Sequence, residues 1–455
     1  MKENVYILEP LFGRMLSPFE QFLRRATAGG IILMSVTVAT LLLANSPWGQ
    51  FLHDFWEQRA GIGIGGFRVE MTLHHWVNEG LMALFFLLVG LELKREVLVG
   101  ELSSLREAVL PVVAAVGGMV VPAILYILVN RDGVEAKGWG IPMATDIAFS
   151  LGILVLLSWR IPKSLIVFLA ALAIADDLGA VLLIALYYST SLDIGALKGA
   201  LAILAVLALL NRGGIRHPLP YGVMGMALWL VLLHSGIHAT VAGVLLAFFI
   251  PARPVFTPVE FEQRLDHLQE TLRYEVEDPE ACLQPLKCPV MATVAQNVEK
   301  SAKAVQSPLQ RMEHHLSPWV TFVVIPLFAL SNAGVNFSNM EVSRVLGQPV
   351  TWGIVLGLVL GKFAGVSGFS WFAVKCGFAR LPSGVCWHHL VGVAWLAGIG
   401  FTMSLFINEL AFDDPGMAIQ AKVGILLASL LAGTIGVAWL LAVASAGKDD
   451  DPSPP

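Results

Sequence analysis

Two adjacent carboxylates, Asp176 and Asp177, lie in the middle of an otherwise apolar stretch, LAALAIADDLGAVLLIAL. An ionised aspartate at the centre of a bilayer costs about 2.5–3.5 kcal/mol on insertion scales, and two like charges side by side also repel each other. Leucine, isoleucine, valine and alanine fill the turns on every side of the pair, which does not suit a soluble helix with two surface acids. The pattern predicts an ion site buried in a membrane.

Three further sets of polar groups fall inside apolar stretches. Thr145 and Asp146 follow Pro142 in GIPMATDIAFS, where the missing proline N–H and the side-chain oxygens predict a broken helix. Lys362 stands in GLVLGKFAGVSGF, too deep to reach water easily, and therefore predicts a buried partner acid. The glycines and hydroxyls of AGIGFTMS (Ala397–Ser404) predict a second interrupted helix.

These side chains are the ligands that a hard cation prefers. Na⁺ takes carboxylate, hydroxyl and carbonyl oxygens, which Asp176, Asp177, Asp146, Thr145 and a broken helix supply, and we predict Na⁺ at Asp176 and Asp177. Neighbouring helical residues point about 100° apart, so the two acids should have different roles. Because a low dielectric disfavours charged carboxylates, the site can hold a proton or a cation but not both, which predicts proton-driven cation exchange.

The composition is that of a polytopic membrane protein. Of the 455 residues, 56% are hydrophobic and 14% charged, against about 25% charged in soluble domains. The chain shows no signal-peptide pattern, no basic blocks for nucleic acid, and no cofactor or hydrolase motif, so we expect a transporter without cofactors and not an enzyme. The cysteines are predicted to form no disulfides; they are Cys282, Cys288, Cys376 and Cys386.

Hydropathy predicts an all-α fold with about twelve membrane spans, since each span takes about 20 residues. The predicted spans are 29–45, 76–96, 109–129, 138–157, 165–187, 194–210, 221–233, 237–250, 319–333, 352–374, 391–410 and 417–443. The predicted domains are a cytoplasmic lead-in (1–28), spans one to eight (29–250), a cytoplasmic insert (251–317), spans nine to twelve (318–443) and a cytoplasmic tail (444–455).

The positive charges predict the topology. Twelve spans put both termini on one side, and 21 of the 29 lysines and arginines fall on that side, seven on the other and Lys362 within a span. Because positive residues favour the cytoplasmic side, both termini are predicted to be cytoplasmic. Spans three to five and ten to twelve then start on opposite sides. With their weakly similar segments IAFSLGIL and GFTMSLFI, they predict inverted repeats whose two interrupted helices cross at mid-membrane.

Two polar segments lie outside the spans. The alternating stretch Phe67–Leu73 follows GIGIGG and predicts a short exposed β-hairpin. The insert predicts two amphipathic helical pieces near Val259–Tyr274 and Val290–His314, whose role as plain connector or regulator stays open.

Six motifs together resemble the NhaA-type Na⁺/H⁺ antiporters, over about residues 22–443: ATDIAFSLGIL, ALAIADDLGAVLLIALYY, HSGIHATVAGVLLAFFIP, PLFALSNAGV, FFLLVGLELKREVLVGEL and AGIGFTMSLFI. The resemblance implies electrogenic, pH-regulated exchange of cytoplasmic Na⁺ or Li⁺ for external protons in the lipid of a bacterial inner membrane. It implies that Asp177 and Asp176 carry the ions, that Asp146 and Thr145 lie at the crossing, and that Lys362 pairs with Asp176.

The same resemblance implies a cytoplasmic pH-sensing cluster, although its charges would also cap any span; its members are Glu92, Arg95, Glu96, Glu313 and His314. It matches Glu79 to an acid at the outer end of span two, where aspartate is usual. It matches His238 to a histidine at the start of span eight, although a histidine at that position is more often a structural helix-end residue than a sensor. It also implies a homodimer joined through the hairpin. The main departure from the family is the long insert near Phe256–Gln306.

Two other functions remain open at this level. A Na⁺-coupled symporter of an organic anion would share the broken helices but would not need Lys362. A proton-channel subunit of a redox complex would also hold a buried lysine, but it lacks a use for the paired aspartates as cation ligands. Na⁺-dependent dissipation of a pH gradient would separate these functions from antiport.

Overall fold

Helices dominate the fold, because apolar runs in a bilayer must satisfy their backbone hydrogen bonds within the segment. The computed structural model describes residues 28–64, 67–189, 192–275, 289–337 and 342–449. Most of the predicted lead-in, the end of the predicted tail, Cys282 and Cys288 lie outside these residues. The α-helices of eight or more residues are α1 (Ala28–Ala44), α2 (Gly49–Trp56), α3 (Met82–Val99), α4 (Leu105–Val129), α5 (Ile147–Leu156), α6 (Lys163–Tyr187), α7 (Ile194–Arg212), α8 (Pro218–Leu233), α9 (Val241–Phe249), α10 (Pro258–Glu275), α11 (Pro289–Val305), α12 (Pro308–Trp319), α13 (Ile325–Asn332), α14 (Pro349–Leu356), α15 (Lys362–Lys375), α16 (Trp387–Leu396), α17 (Phe401–Ala411) and α18 (Pro415–Asp449).

Every predicted span is largely helical, which confirms an all-α polytopic membrane protein. Within the described residues, seven helical segments are long and apolar enough to cross a bilayer, and nine are if two bent pairs each count as one span. The other three predicted spans contain α3, α8 and α9. The end of α3 is charged, whereas α8 and α9 have only 16 and 9 residues. The number twelve therefore stays a prediction.

Two spans are interrupted where the sequence predicted it. A 3₁₀ segment, Val134–Met143, contains Pro142 and ends in extended backbone before α5 begins. The second interruption separates α16 from α17, whose axes differ by 44°. Helix α17 packs against the 3₁₀ segment, so the two interruptions adjoin. Three π-helical turns, Trp76–Leu81, Val320–Val324 and Gly357–Gly361, precede α3, α13 and α15.

Helices α4 and α15 approach most closely at a pair of glycines. A Cβ atom on Gly117 would lie 2.4 Å from the Gly365 carbonyl oxygen, and one on Gly365 would lie 2.1 Å from the Gly117 oxygen. A larger residue at either position would therefore push the helices apart. Helix α4 also packs against α6, and Gly118 leaves space beside the Lys362 side chain. The glycines thus bring the lysine of α15 towards the acids of α6.

The predicted hairpin is present as two antiparallel strands, β1 (Arg59–Ile64) and β2 (Phe67–Thr72), paired from Arg59↔Thr72 to Ile64↔Phe67. The Thr72 hydroxyl accepts a hydrogen bond from His75 N–H at 3.2 Å and caps the one-turn helix Leu73–His75, which leads into span two. The sequence thus located this hairpin correctly.

The insert differs from its prediction in one respect. Helix α10 matches the first predicted piece, but Val290–His314 divides between α11 and α12. The break falls at Ser307, whose hydroxyl accepts from Gln310 N–H while the Gln310 side chain accepts from Ser307 N–H, each at 3.2 Å. This capping box starts a new helix. From Pro308 the helical segment continues to Asn332, so the domain boundary predicted at 317/318 falls inside it.

Candidate functional site: a buried acid pair beside two interrupted helices

Asp176 and Asp177 lie in the middle of α6, and both are fully buried. Lys362, at the first turn of α15, is also fully buried and donates a hydrogen bond to Asp176 Oδ2. A cation without a partner acid would be very costly at this depth. The structure thus confirms that Lys362 has a buried acid as its partner and selects Asp176 over Asp177.

The remaining oxygens of the acid pair accept no geometrically formed hydrogen bond from the part of the chain that the structure describes. Asp176 Oδ1 and both oxygens of Asp177 are the buried carboxylate oxygens that accept no hydrogen bond within the described residues. Buried polar atoms are nearly always satisfied, and an unsatisfied carboxylate is costly unless it binds a proton or a cation. The pair therefore presents three acceptor atoms to an ion. Asp176, Asp146 and Lys362 all act electrostatically on Asp177.

Asp146 connects the two interruptions. Its Oδ1 accepts from Phe149 N–H at 3.0 Å and so caps the start of α5. Its Oδ2 accepts from Thr402 N–H at 2.9 Å and from the Thr402 hydroxyl at 2.6 Å, at the start of α17. Helix N-termini carry partial positive charge, so one buried carboxylate stabilises two of them. Asp146 is thus held by hydrogen bonds, unlike Asp177.

Further hydrogen bonds join the two interruptions. The Thr145 hydroxyl donates to the Ala397 carbonyl at 2.9 Å, and Asp146 N–H donates to the Ile399 carbonyl at 2.7 Å. In return, the Ser404 hydroxyl donates to the Ile141 carbonyl at 2.8 Å. These bonds use backbone groups that the interrupted helices leave free. The interruptions therefore form one hydrogen-bonded unit, which makes Thr145 a structural link as well as a neighbour of Asp176.

A small cavity of about 150 Å³ leads from Asp146 towards the charged end of α3. Its walls include Glu92, Asp146 and Thr402, and Gly29 and Gly30 of α1 also contribute. This volume suits a few waters or a partly hydrated ion. Glu92, a predicted sensor of pH, therefore lies on the route to the interruptions.

The predicted pH-sensing cluster assembles in part. Arg95 pairs with Glu313 of α12 and with Glu96 at 3.0 Å, and Glu92 acts electrostatically on Arg95. His314 is exposed and lies beside His315, with ring centroids 6.1 Å apart. Four of the five predicted residues therefore meet, and His314 lies at their edge. Sequence reasoning missed Lys94, whose Nζ donates to the carbonyls of Phe248 at 2.7 Å and Ile250 at 2.5 Å, at the end of α9.

The predicted outer residues also meet. Glu79 Oε1 lies 3.1 Å from His238 Nδ1, and Glu79 Oε2 accepts from Ala239 N–H at 3.2 Å. Since Trp229 Nε1 donates to the Glu79 carbonyl at 2.9 Å, this acid joins the start of span two to α8 and the start of α9.

A second outer network was not predicted. His74 Nε2 lies 3.1 Å from Asn332 Oδ1 and 3.8 Å from Glu409 Oε2, and Lys422 pairs with Glu409 at 2.9 Å. Burial lowers the pKa of His74, which lies just ahead of span two, and the negative charge of Glu409 opposes this only in part. Asn78 also bonds to Asn332, at 2.9 Å. The residues of this network are far apart in sequence, so no local pattern predicted it.

Thr402 was also missed as a functional residue. It lies within the predicted AGIGFTMS interruption, but sequence reasoning did not name it individually.

Buried carboxylates beside two interrupted helices in a polytopic fold define a secondary transporter with a central ion site. The sequence profile of the family described as Na⁺/H⁺ antiporter 1 matches residues 20–440, and the chain belongs to this family of NhaA-type antiporters.

Relatives match over nearly the whole length. The Na⁺/H⁺ antiporter NhaA of Syntrophobacter fumaroxidans is 63% identical over 439 residues, covering 96% of this chain and 93% of that protein. The NhaA of Acidithiobacillus ferrooxidans is 56% identical over 443 residues, covering 96% of this chain and 100% of that protein. The NhaA 1 of Saccharophagus degradans is 48% identical over 434 residues, covering 95% and 93%. The resemblance seen in the sequence is thereby confirmed.

Proposed function

We propose that this membrane protein extrudes Na⁺, and also Li⁺, in exchange for protons, with Asp176 and Asp177 as the ion-carrying groups. Family membership makes the chain a sodium/proton antiporter, and neither the symporter nor the proton-channel alternative is supported. One observation carries the assignment of residues, namely three buried carboxylate oxygens without a hydrogen bond beside the hydrogen-bonded interruptions. The chain transports ions and catalyses no covalent reaction.

The exchange follows from competition at one site. A carboxylate in a low dielectric is stabilised by a proton or by a cation, so each ion displaces the other. Asp177 has both oxygens available and is the principal Na⁺ ligand, with Asp176 Oδ1 as the second. The Thr145 hydroxyl already donates to Ala397, so its oxygen remains an acceptor that can bind Na⁺. If the site can switch its access from one side of the membrane to the other only while it holds an ion, an inward proton gradient drives Na⁺ out.

Lys362 gives the cycle a further charged group. While Asp176 is ionised, the lysine pairs with it. When Asp176 binds Na⁺ or H⁺, its negative charge is neutralised and the ion pair is lost. Lys362 is then a buried cation without a partner, which favours release of the lysine proton. Binding and release of ions at the site are therefore coupled to the Lys362–Asp176 ion pair, which connects α6 with α15. Because more than one group releases a proton per Na⁺ bound, we propose electrogenic exchange.

The remaining assignments concern regulation and assembly. The ion pairs of Arg95 with Glu313 and Glu96, together with the cavity that Glu92 lines, support a role for this cluster in pH sensing, with His314 as a peripheral member. The charge distribution supports a bacterial inner-membrane protein with both termini cytoplasmic. The two-stranded sheet of β1 and β2, which has no third strand among the described residues, supports a homodimer that forms through the hairpin.

A current measurement tests the proposal. Purified protein in proteoliposomes on a solid-supported membrane is given a Na⁺ jump at several pH values, beside the double variant Asp176→Asn, Asp177→Asn. We expect a transient current that the double variant lacks, and a pH-sensitive dye in the same vesicles should report proton movement in the opposite direction. Na⁺-dependent proton movement without current would contradict electrogenic exchange, whereas proton movement that survives in the double variant would contradict the assignment of the acid pair.

A further inference from the structure

The insert contains a cavity of about 630 Å³ between α10 and α11. The two helices pack against each other, and such a seam is normally apolar along its length. The apolar part of its lining includes Leu268 and Val294, of which Val294 is buried. Hydrogen-bonding side chains take other positions of the seam, including Asn297 and the buried Ser301. The volume lies in the range of small-molecule sites.

The charges around this cavity are segregated. The ionisable residues that line it are Arg264, His267 and Lys300, all of them basic. On the same helices the acids whose side chains are described lie outside the lining: Glu260, Glu262, Asp266, Glu270 and Glu299. Arg264 and His267 are three residues apart and therefore share a face of α10, opposite Lys300 on α11. No carboxylate in the described residues lies within ion-pair distance of these three side chains.

Arg264 contacts an aromatic ring beside the cavity. Its guanidinium group lies over the ring of Phe256, 4.1 Å from the centroid. This cation–π contact favours one placement of the guanidinium group at the cavity. A planar fork of N–H donors is the group best suited to two oxygens of one phosphate. The lysine opposite the fork and the imidazole on the same face of α10 can donate to the remaining oxygens.

We propose that the cavity between α10 and α11 binds a phosphate-bearing anion. Among the described residues no carboxylate lies within ion-pair distance of the three basic groups; Glu260, four residues before Arg264, interacts with it electrostatically but does not line the cavity. These basic groups, an arginine fork and neutral hydrogen-bonding side chains favour phosphate over a cation or an apolar ligand. The phosphate comes either from a soluble metabolite or from the headgroup of an anionic phospholipid, and the experiment below distinguishes these sources.

The cavity is connected to the ion pathway by a short length of chain. The Ala304 carbonyl, at the end of α11, accepts hydrogen bonds from the N–H groups of Val255 at 2.8 Å and Phe256 at 3.2 Å. Helix α12 begins at Pro308, and it carries Glu313, which pairs with Arg95. A ligand that draws α10 and α11 together therefore acts on the helix that holds the charged cluster. We expect occupancy to change the rate of exchange.

The binding test uses the full-length protein in detergent at low ionic strength, with ATP and inorganic phosphate as soluble probes in isothermal titration calorimetry. The test variant is Arg264→Gln, Lys300→Gln. The matched control is Lys303→Gln, which removes the same charge from α11 at a lysine that pairs with Glu299 and does not line the cavity. A parallel series compares the melting temperature in nanodiscs with and without phosphatidylglycerol.

We expect a soluble probe to bind the wild type and Lys303→Gln and to bind the double variant at least about tenfold more weakly, as loss of a charged hydrogen bond implies. A phosphatidylglycerol-dependent stabilisation that only the double variant loses would support the same site with a lipid source. Equal binding by wild type and double variant, or no response to any probe, would overturn the proposal.

Exchange without any probe separates this inference from the proposed function. The three basic residues lie outside the ion site, so the double variant should exchange Na⁺ for H⁺ at the wild-type rate. With the binding probe present, only the wild type and Lys303→Gln should change their rate. Binding without a change of rate would support the site and contradict the coupling to α12.

Discussion

At the scale of single residues, three buried acids occupy different electrostatic environments. Asp176 has a cation partner, Asp146 accepts three hydrogen bonds, and Asp177 has no hydrogen-bond partner in the described residues. A group that must bind and release an ion should have few fixed partners, whereas a group that holds backbone in place should have many. The contacts therefore support the proposed ion-binding role of Asp177 and distinguish it from Asp146, whose hydrogen bonds hold backbone in place.

Asp177→Asn should abolish Na⁺-dependent proton movement in proteoliposomes and leave the melting temperature near that of the wild type. The amide lacks the charge that binds Na⁺ and cannot exchange a proton. The exposed Asp54 of α2 offers a matched control, since Asp54→Asn makes the same chemical change and should retain transport. Turnover of Asp177→Asn with normal Na⁺ affinity would remove Asp177 from the ion site.

Thr402→Val should destabilise the fold by about 1–3 kcal/mol, because Asp146 loses a buried hydroxyl donor at 2.6 Å. The control is Thr434→Val on the exposed side of α18, where the hydroxyl donates only to carbonyls of its own helix. Thermal melting in detergent compares the two variants. Equal melting temperatures would show that the hydroxyl at Thr402 does not hold the interruptions together.

At the scale of secondary structure, the crossing of α4 with α15 positions the buried ion pair. Gly117 and Gly365 allow their backbones to touch, and Lys362, one turn before Gly365, then reaches Asp176 of α6. The pair therefore connects two helices whose contact also depends on the glycines. This arrangement makes the energy of the fold sensitive to the charge on Asp176, a residue proposed to carry ions.

Lys362→Ala should destabilise the protein by about 3–5 kcal/mol, since it leaves a buried carboxylate unpaired. The loss should grow as pH rises, because protonation of Asp176 relieves the unpaired charge and becomes less favourable at high pH. Melting temperatures across a pH series would show this, and the double variant Lys362→Ala, Asp176→Asn should recover part of the loss. Lys375→Ala, at the exposed end of α15, is the control. A wild-type melting curve for Lys362→Ala at every pH would contradict the role of this pair.

At the scale of the whole molecule, the outer network of His74, Asn332, Glu409 and Lys422 joins the segment after the hairpin to α13, α17 and α18. Helix α17 also carries Thr402 at its other end. This network therefore links the end of the hairpin, the interrupted helix and the long final helix, on the side that the predicted topology makes external.

His74 should make the fold less stable in acid. Its folded-state pKa is lowered from the ordinary value of 6.5, mainly by burial. The unfolded chain therefore binds the proton more readily, so the stability from the neutral ring is present above about pH 6.5 and is lost as pH falls towards the lowered pKa. His74→Gln should flatten the melting temperature between pH 7.5 and 5.5, a window chosen around that ordinary value. The exposed neighbour variant His75→Gln should retain the wild-type slope, and an unchanged slope in His74→Gln would contradict this assignment.

Removal of the hairpin should convert a homodimer into a monomer. A two-stranded sheet has two unpaired edges that another copy can extend. Replacing residues 60–71 by a short flexible linker, measured by light scattering in detergent, should halve the protein mass and leave Na⁺/H⁺ exchange detectable, because the acid pair lies on α6. An unchanged mass would place the dimer contact elsewhere, and a monomeric wild type would contradict the dimer itself.

The sequence by itself determined the features of the fold and the site that depend on one short stretch of chain. Apolar length predicts the helices, alternation predicts the hairpin, Pro142 and the glycines of AGIGFTMS predict the interruptions, and the cost of buried charge singles out the acid pair and Lys362. Each of these signals lies within one short stretch of chain. The break between the last two insert helices was not predicted, because a capping box at Ser307, rather than hydropathy, divides them.

Only the tertiary structure decided which of these groups touch. It paired Lys362 with Asp176, set Thr402 against Asp146, placed Lys94 at the end of α9 and gathered the basic groups of the insert around one cavity. Such contacts join residues from distant parts of the sequence. They depend on helix packing, close glycine approach and the free backbone groups of broken helices, which no local pattern encodes.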